Sequence, residues 1–384
     1  MGDVDSEIRR DSESESGWKE EASVRILFVV SAIRYDEPIN AGQTAGLLSH
    51  ENAMGDRMRV RIGWEMTCAA MCLTAMIGSV PIRKVVAEQT LAASSELGSA
   101  RLSSSEYQVL QERPDRLLVE LPNRLLVIAQ ELQTAPVVSA QVWIKTGSIY
   151  EQDNAGAGLS HFLEHLVSGG TTKNRSEAES NAILGSIGAQ TNAGTGLSTV
   201  QYYVNTTAAH AAEAIELLSD WMQHSVISGD EFHRERDVIQ REFQMGQGDP
   251  RRVLWKLTQT ARYRFHPARY PTIGYLDEFL RIGRDEIYEF YRLMYVPNNM
   301  VFVVVGAIDK QQIVDQIARL WADSKPGDLP DLKFPIEPPL VEARHLAGTA
   351  DIKKSRLRLA WPGTRLGADG DYALDLLGVV LGQG

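Results

Sequence analysis

Apolar and polar positions alternate with recognisable periods only from Ser103 onward. "RLLVELPNRLLVIAQELQ" (116–133) predicts a β-hairpin, with Pro122-Asn123 supplying the turn. "VVSAQVWIKTGSIYE" (137–151) predicts a second strand region, Ser139 and Gln141 alternating against Ala140, Val142 and Ile144. A helix is expected over 156–167, stopped by Gly169-Gly170, and another over 176–187. "STVQYYVNTT" (198–207) reads as a strand. Ala211, Ala214, Ile215, Leu218 and Met222 recur at helical spacing within 210–226. The next helix, 228–245, has Ser228 or Asp230 as its cap. Further helices are expected at roughly 251–263, 275–281 and 284–294. A buried strand over "MVFVVVGAI" (300–308) follows, then a helix over 310–322. The predicted class is α+β: an antiparallel-rich sheet with helices packed on one face.

The flanks read differently. Residues 1–22 are polar and without period, the composition of a disordered segment. From Met58 the order is basic (Arg59, Arg61), apolar (Met66 to Val80), then small residues. That is the order of a secretory signal, although a core helix or short anchor also fits. The expectation is that translation starts at Met58 or Met54. Residues 1–57 are then disordered or a misassigned leader, and 58–95 a signal-like segment. A periplasmic or secreted location follows, or a cytoplasmic one if that segment is no signal. The apolar run is short for a bilayer, so no stable membrane span is expected. Lys325 to Leu340 holds five prolines in sixteen residues and reads as a linker. Beyond it "SRLRLAWPG" (355–363) looks like a strand and "GDYALDLLGVVLGQG" like the start of a helix. Residues 341–384 are thus expected to be the truncated start of a second domain.

Charge and cysteine content narrow the function. The formal net charge is −11, so no nucleic-acid partner is expected. The two cysteines, Cys68 and Cys72, both lie in the signal-like segment. Beyond residue 100 a disulfide framework and a thiolate metal site are both excluded, and a metal must use His, Asp or Glu.

"HFLEH" supplies two of these. On a helix His161 and His165 share a face, and both imidazoles can serve Zn²⁺, with Glu164 beside them as a potential proton acceptor. A catalytic zinc site needs a third protein ligand. "FHRERDVIQREFQM" offers Glu235 and Glu242, two turns apart on one face; one could bind metal while the other holds a histidine N–H. His210, His224, His233, His266 and His345 lack partners at ligand spacing and read as structural.

H-x-x-E-H inverts the order of H-E-x-x-H, and here the chain resembles the pitrilysin family of zinc peptidases. The likeness runs through "GSIYEQDNAGAGLSHFLEHLVSGGTT", "LGSIGAQTNAGTGLSTVQYYV", "ERDVIQREF" and "YVPNNMVFVVVGAID", and covers about residues 110 to 384. The resemblance implies one Zn²⁺ per chain held by His161, His165 and Glu242, with Glu164 as general base and Glu235 supporting a zinc histidine. Asn192 and Ala193 fall on the edge strand where the family binds peptide by strand addition. Gly194 stands where many members carry an aromatic residue. The implied activity is metalloendopeptidase, acting on a peptide or unfolded protein, with 103–324 as the N-terminal zinc peptidase domain. The family closes its site with a second homologous domain or subunit, which contributes an Arg and a Tyr. A non-catalytic or partner-dependent subunit of a two-chain complex is therefore the alternative.

Overall fold

The structure, a computed structural model, describes residues 107–247, 249–348, 355–364 and 369–383. The expected leader, the signal-like segment and the Met58 start lie outside these residues. The core is a seven-stranded sheet: β1 (Gln108–Arg113), β2 (Arg116–Glu120), β3 (Leu126–Glu131), β4 (Val137–Ile144), β5 (Gln190–Thr195), β6 (Val200–Thr207) and β7 (Met300–Gly306). Their order is β1-β2-β3-β7-β4-β6-β5. Only β3 and β7 run parallel; every other pair is antiparallel.

Strict alternation puts one face inside. Val119, Val127, Val142, Tyr202 and Phe302 are fully buried, while their neighbours along each strand are partly exposed. Helix α3 (Ala211–His224) covers β4 and β6 on that face, and α8 (Lys310–Leu320) covers β3 and packs on α3. Trp221 and Trp321 are each 1% exposed at this junction. Trp321 Nε1 donates to Ser219 Oγ at 3.1 Å, and the Asn123 amide donates to the Trp321 carbonyl at 2.8 Å. The hairpin turn is thereby tied to the helical layer, with large side chains contributing about 1.5–3 kcal/mol each on burial.

The remaining helices lie at the β5 edge. They are α1 (Leu159–Val167), α2 (Glu177–Ser186), α4 (Gly229–Gln247), α5 (Pro250–Arg262), α6 (Leu276–Phe279) and α7 (Arg284–Met294). Helix α1 packs on β5, α4 and α7. It starts three residues later than its period suggests, after short 3₁₀ turns at 148–150 and 152–154. Gly158, at φ 73°, then sets the helix start, and Gly274, at φ 86°, lies backbone to backbone against it. A Cβ on Gly274 would come within 2.6 Å of the Ala157 carbonyl carbon, so only glycine permits this approach.

Two differences from the sequence reading stand out. Strand β1 was not anticipated, since all six of its residues are exposed and carry no buried face. The strand expected at 355–363 does not form: among the described residues this segment carries no helix or strand, and Leu357 and Leu359 are exposed. Residues 325–348 carry no helix or strand, whereas α9 (Asp371–Gln383) exposes Leu376, Leu377, Val380 and Leu381.

Candidate metal centre

Helix α1 is positioned from both ends and one side. At its start the Glu151 carboxylate, only 2% exposed, accepts the N–H groups of Gly158 (3.2 Å) and Ser160 (2.9 Å). Burial nevertheless pushes the Glu151 pKa up to about 8, against the pull of these bonds. Leu159, Phe162, Leu163, Leu166 and Val167 face the core. Phe162 stacks on Phe232 of α4 at 5.1 Å between ring centroids, which sets the distance between the two helices. Glu231 accepts from the Thr171 N–H at 2.9 Å and from Ser228 Oγ at 2.8 Å, tying the exit of α1 to the start of α4. Ser228, not Asp230, is therefore the capping residue, in a reciprocal arrangement with Glu231.

The side chains left over on the facing surfaces converge. His161 Nε2 lies 3.7 Å from Glu242 Oε2, and His165 Nε2 lies 4.0 Å from the same oxygen. The three donor atoms lie within 4.8 Å of one another. These spacings exceed a hydrogen bond and come near the about 3.4 Å between ligand atoms that tetrahedral bonds of 2.0–2.1 Å produce. The donor set, two imidazoles and a carboxylate, suits zinc. Burial, aided by the neighbouring His165 and Arg252, lowers the His161 pKa to about 3, so its ring is neutral as a ligand must be. Its Nδ1 is buried with no hydrogen-bond partner among the described residues, and the ring packs edge-on against His165 at 4.8 Å between centroids.

His165 Nδ1 lies 3.4 Å from Glu235 Oε2, which leaves its Nε2 turned toward Glu242. Burial opposes charge on His165, but the Glu235 bond and the carboxylates of Glu164, Glu235 and Glu242 raise its pKa overall. Glu235 is in turn lowered, chiefly by that same hydrogen bond. Glu164, 9% exposed, has its pKa raised by burial against the pull of a 2.6 Å bond from Thr195 Oγ1. A carboxylate with a raised pKa is a better proton acceptor than a free one.

Asn192 and Ala193 sit on β5, the outermost strand, and line a cavity of about 280 Å³ together with Glu164 and His165. Asn192 Oδ1 accepts the Ala193 N–H at 2.9 Å. Three contributors had no sequence signal. Thr195 reaches Glu164 only through the β5–α1 packing. Arg252 donates to Glu242 Oε1 at 3.2 Å from the next helix. Glu151 caps α1 across a glycine-rich turn that no capping pattern describes.

Comparison with known proteins adds to this geometry. The family described as Insulinase (Peptidase family M16) matches residues 126–275, and the one described as Peptidase M16 inactive domain matches 281–384. The second match begins before β7, which sits between β3 and β4 of the same sheet. The probable mitochondrial-processing peptidase subunit beta of Arabidopsis thaliana is 28% identical over 54% of this chain and 39% of its own length. A zinc protease of Bacillus subtilis is 28% identical over 68% of this chain and 62% of its own. The chain thus spans roughly half the length of the curated relatives it matches. The crystal structure of a protease from Helicobacter pylori superposes with a TM-score of 0.53 at 27% identity, covering 60% of this chain and 55% of that one.

Proposed function

The chain belongs to the insulinase family of peptidases (peptidase family M16), and from that premise we propose that it is the zinc-bearing part of a metalloendopeptidase. One observation carries the reading: two imidazole nitrogens and one carboxylate oxygen meet beside the buried Glu164, whose pKa burial raises. Relatives named as zinc protease and processing peptidase support it.

In this reading His161, His165 and Glu242 hold one Zn²⁺. Bound zinc supplies an acidified water and a Lewis acid for the scissile carbonyl. Glu164 would accept a proton at its carboxylate and return it to the leaving amine, with Thr195 fixing that carboxylate. Glu235 holds the His165 tautomer. The substrate is an extended peptide laid along β5 at Asn192 and Ala193; there the Asn192 side chain must give up the Ala193 N–H to the incoming strand. An opposing wall comes from a homologous second half or a partner subunit. In this reading the location is periplasmic or secreted if residues 58–95 act as a signal, and cytoplasmic if they do not; among the described residues no helix is long and apolar enough to cross a membrane.

The test is metal analysis of the full chain with cleavage of an unstructured peptide, with and without a homologous second half. One zinc per chain and chelator-sensitive cleavage are expected. A chain that takes up no zinc after reconstitution overturns the reading; cleavage only in the mixture establishes the partner-dependent form.

A further inference from the structure

A larger cavity, about 720 Å³, opens from the metal centre on the His161 side and runs along α5 to the 271–276 loop. Its charged lining is Arg251, Arg252 and Lys256 against the one carboxylate of Glu242, in a chain whose net charge is −11. The smaller cavity on the His165 side has the reverse balance: Glu164, Glu177, Glu231 and Glu235 against Arg234. The centre is therefore flanked by cavities of opposite sign.

Helix stability does not account for the cations. The first turn of a helix favours acidic groups, yet Arg251 and Arg252 occupy the first turn of α5. Asp249 holds Arg251 through two contacts of 3.2 Å, and Arg252 gives one N–H to Glu242. Lys256 is different. It lies one turn beyond Arg252 on the same face, with its Nζ 4.5 Å from the centre of the Tyr275 ring. Among the described residues no carboxylate lies within ion-pair distance of it. Trp255 and Tyr275 add apolar wall beside this cation. A groove with an aromatic wall, an uncommitted ammonium and a half-committed guanidinium complements one chemistry: a carboxylate on a flexible chain.

We propose that this groove is the subsite that reads a carboxylate of the bound peptide, with Lys256 as its specificity-determining residue and Arg252 assisting. The carboxylate belongs to an Asp or Glu side chain or to the peptide's own C-terminus. The inference rests on the peptidase reading for the nature of the ligand.

The test measures binding, not turnover. The zinc-loaded full chain carrying Glu164→Gln is titrated by fluorescence anisotropy with short, amidated, labelled peptides that differ at one scanned position: Glu, Gln or Lys. A further Gln peptide carries a free C-terminus. At the position that meets the groove, Glu should bind about fivefold more tightly than Gln, as two partly exposed cations allow, and Lys more weakly. High salt should shrink the difference. Lys256→Gln should remove most of it and Lys256→Glu should invert it; Lys256 is exposed, so neither change disturbs packing. A preference for the free C-terminus without one for internal Glu identifies the chain end as the group recognised. Equal binding of all peptides, a preference unchanged in Lys256→Glu, or no binding of any peptide overturns the proposal. Failure of the peptidase reading shows separately, as absence of zinc or of cleavage by the unsubstituted chain.

Discussion

Helices α1 and α4 meet at the candidate metal centre but are held there by different means. Seven of the nine residues of α1 are buried, whereas the described side chains of α4, at 229–246, are buried only at Glu231, Phe232 and Ile239. An isolated helix of nine residues is unstable in water, so α1 exists because the core shapes it. Helix α4 is long, solvated, and anchored at Phe232 and Ile239, with Glu242 nearly a turn beyond the second anchor. His161, Glu164 and His165 therefore stand on a fixed element. Glu235 and Glu242 reach in from a looser one, and Arg234 and Arg252 steady them. In the proposed reading the fixed helix carries the chemistry and the loose helix completes the metal shell.

The largest expected effect probes the fixed helix. Glu164→Gln should lower peptide hydrolysis by about 10²–10⁴-fold while leaving zinc content unchanged. Hydrolysis at the unsubstituted rate would remove Glu164 from the reaction. Next, Glu242→Ala takes away the one metal donor that α4 supplies. Zinc affinity should drop by more than the about 10–100-fold typical of losing a supporting residue, without a change in secondary structure. If equilibrium dialysis shows zinc held as tightly as before, α4 is not part of the site.

Glu235→Gln sharpens the contrast, because it touches His165 and not the shared point. Zinc should bind about 10–100-fold more weakly, with Glu164 still competent at saturating metal. An effect as large as that of Glu242→Ala would place Glu235 among the ligands instead.

The smallest effect separates the two caps by pH. The pKa of Glu151, at the start of α1, is raised by burial to about 8 from 4.5. The folded state thus binds the extra proton between these values, and stability falls as pH rises from about 4.5 through 8. For Glu231, at the start of α4, burial acts in the same sense, but bonds from Ser228 and Thr171 outweigh it and lower the pKa. Its contribution is present above 4.5 and is lost as pH falls. Denaturant titrations across pH should show Glu151→Gln flattening the alkaline side and Glu231→Gln the acid side. Identical profiles for the two variants would mean that the caps are equivalent.

Much of the sheet was legible because alternation is a local property: β2, β3, β4, β6 and β7 each bury every second residue. Strand β1 was not, since an exposed edge strand has no buried face to alternate against. The strand expected at 355–363 shows the opposite error, a local pattern that forms no strand among the described residues. At the site, His161, Glu164 and His165 were legible as one helical face, and Glu235 and Glu242 as another. Thr195 and Arg252 were not, because a threonine in a strand and an arginine in a helix carry no mark of what they will touch.

The sequence by itself determined which residues share a helical face or a strand face, because 3.6-residue and two-residue repeats are fixed by backbone geometry over a few positions. Only the tertiary structure decided that a carboxylate 77 positions beyond His165 meets both imidazoles, that Glu151 closes the start of α1, and that cavities of opposite charge flank the centre. Those outcomes depend on how Phe162 packs on Phe232 and how Gly274 backs onto the turn before α1, and such long-range contacts have no local period to announce them.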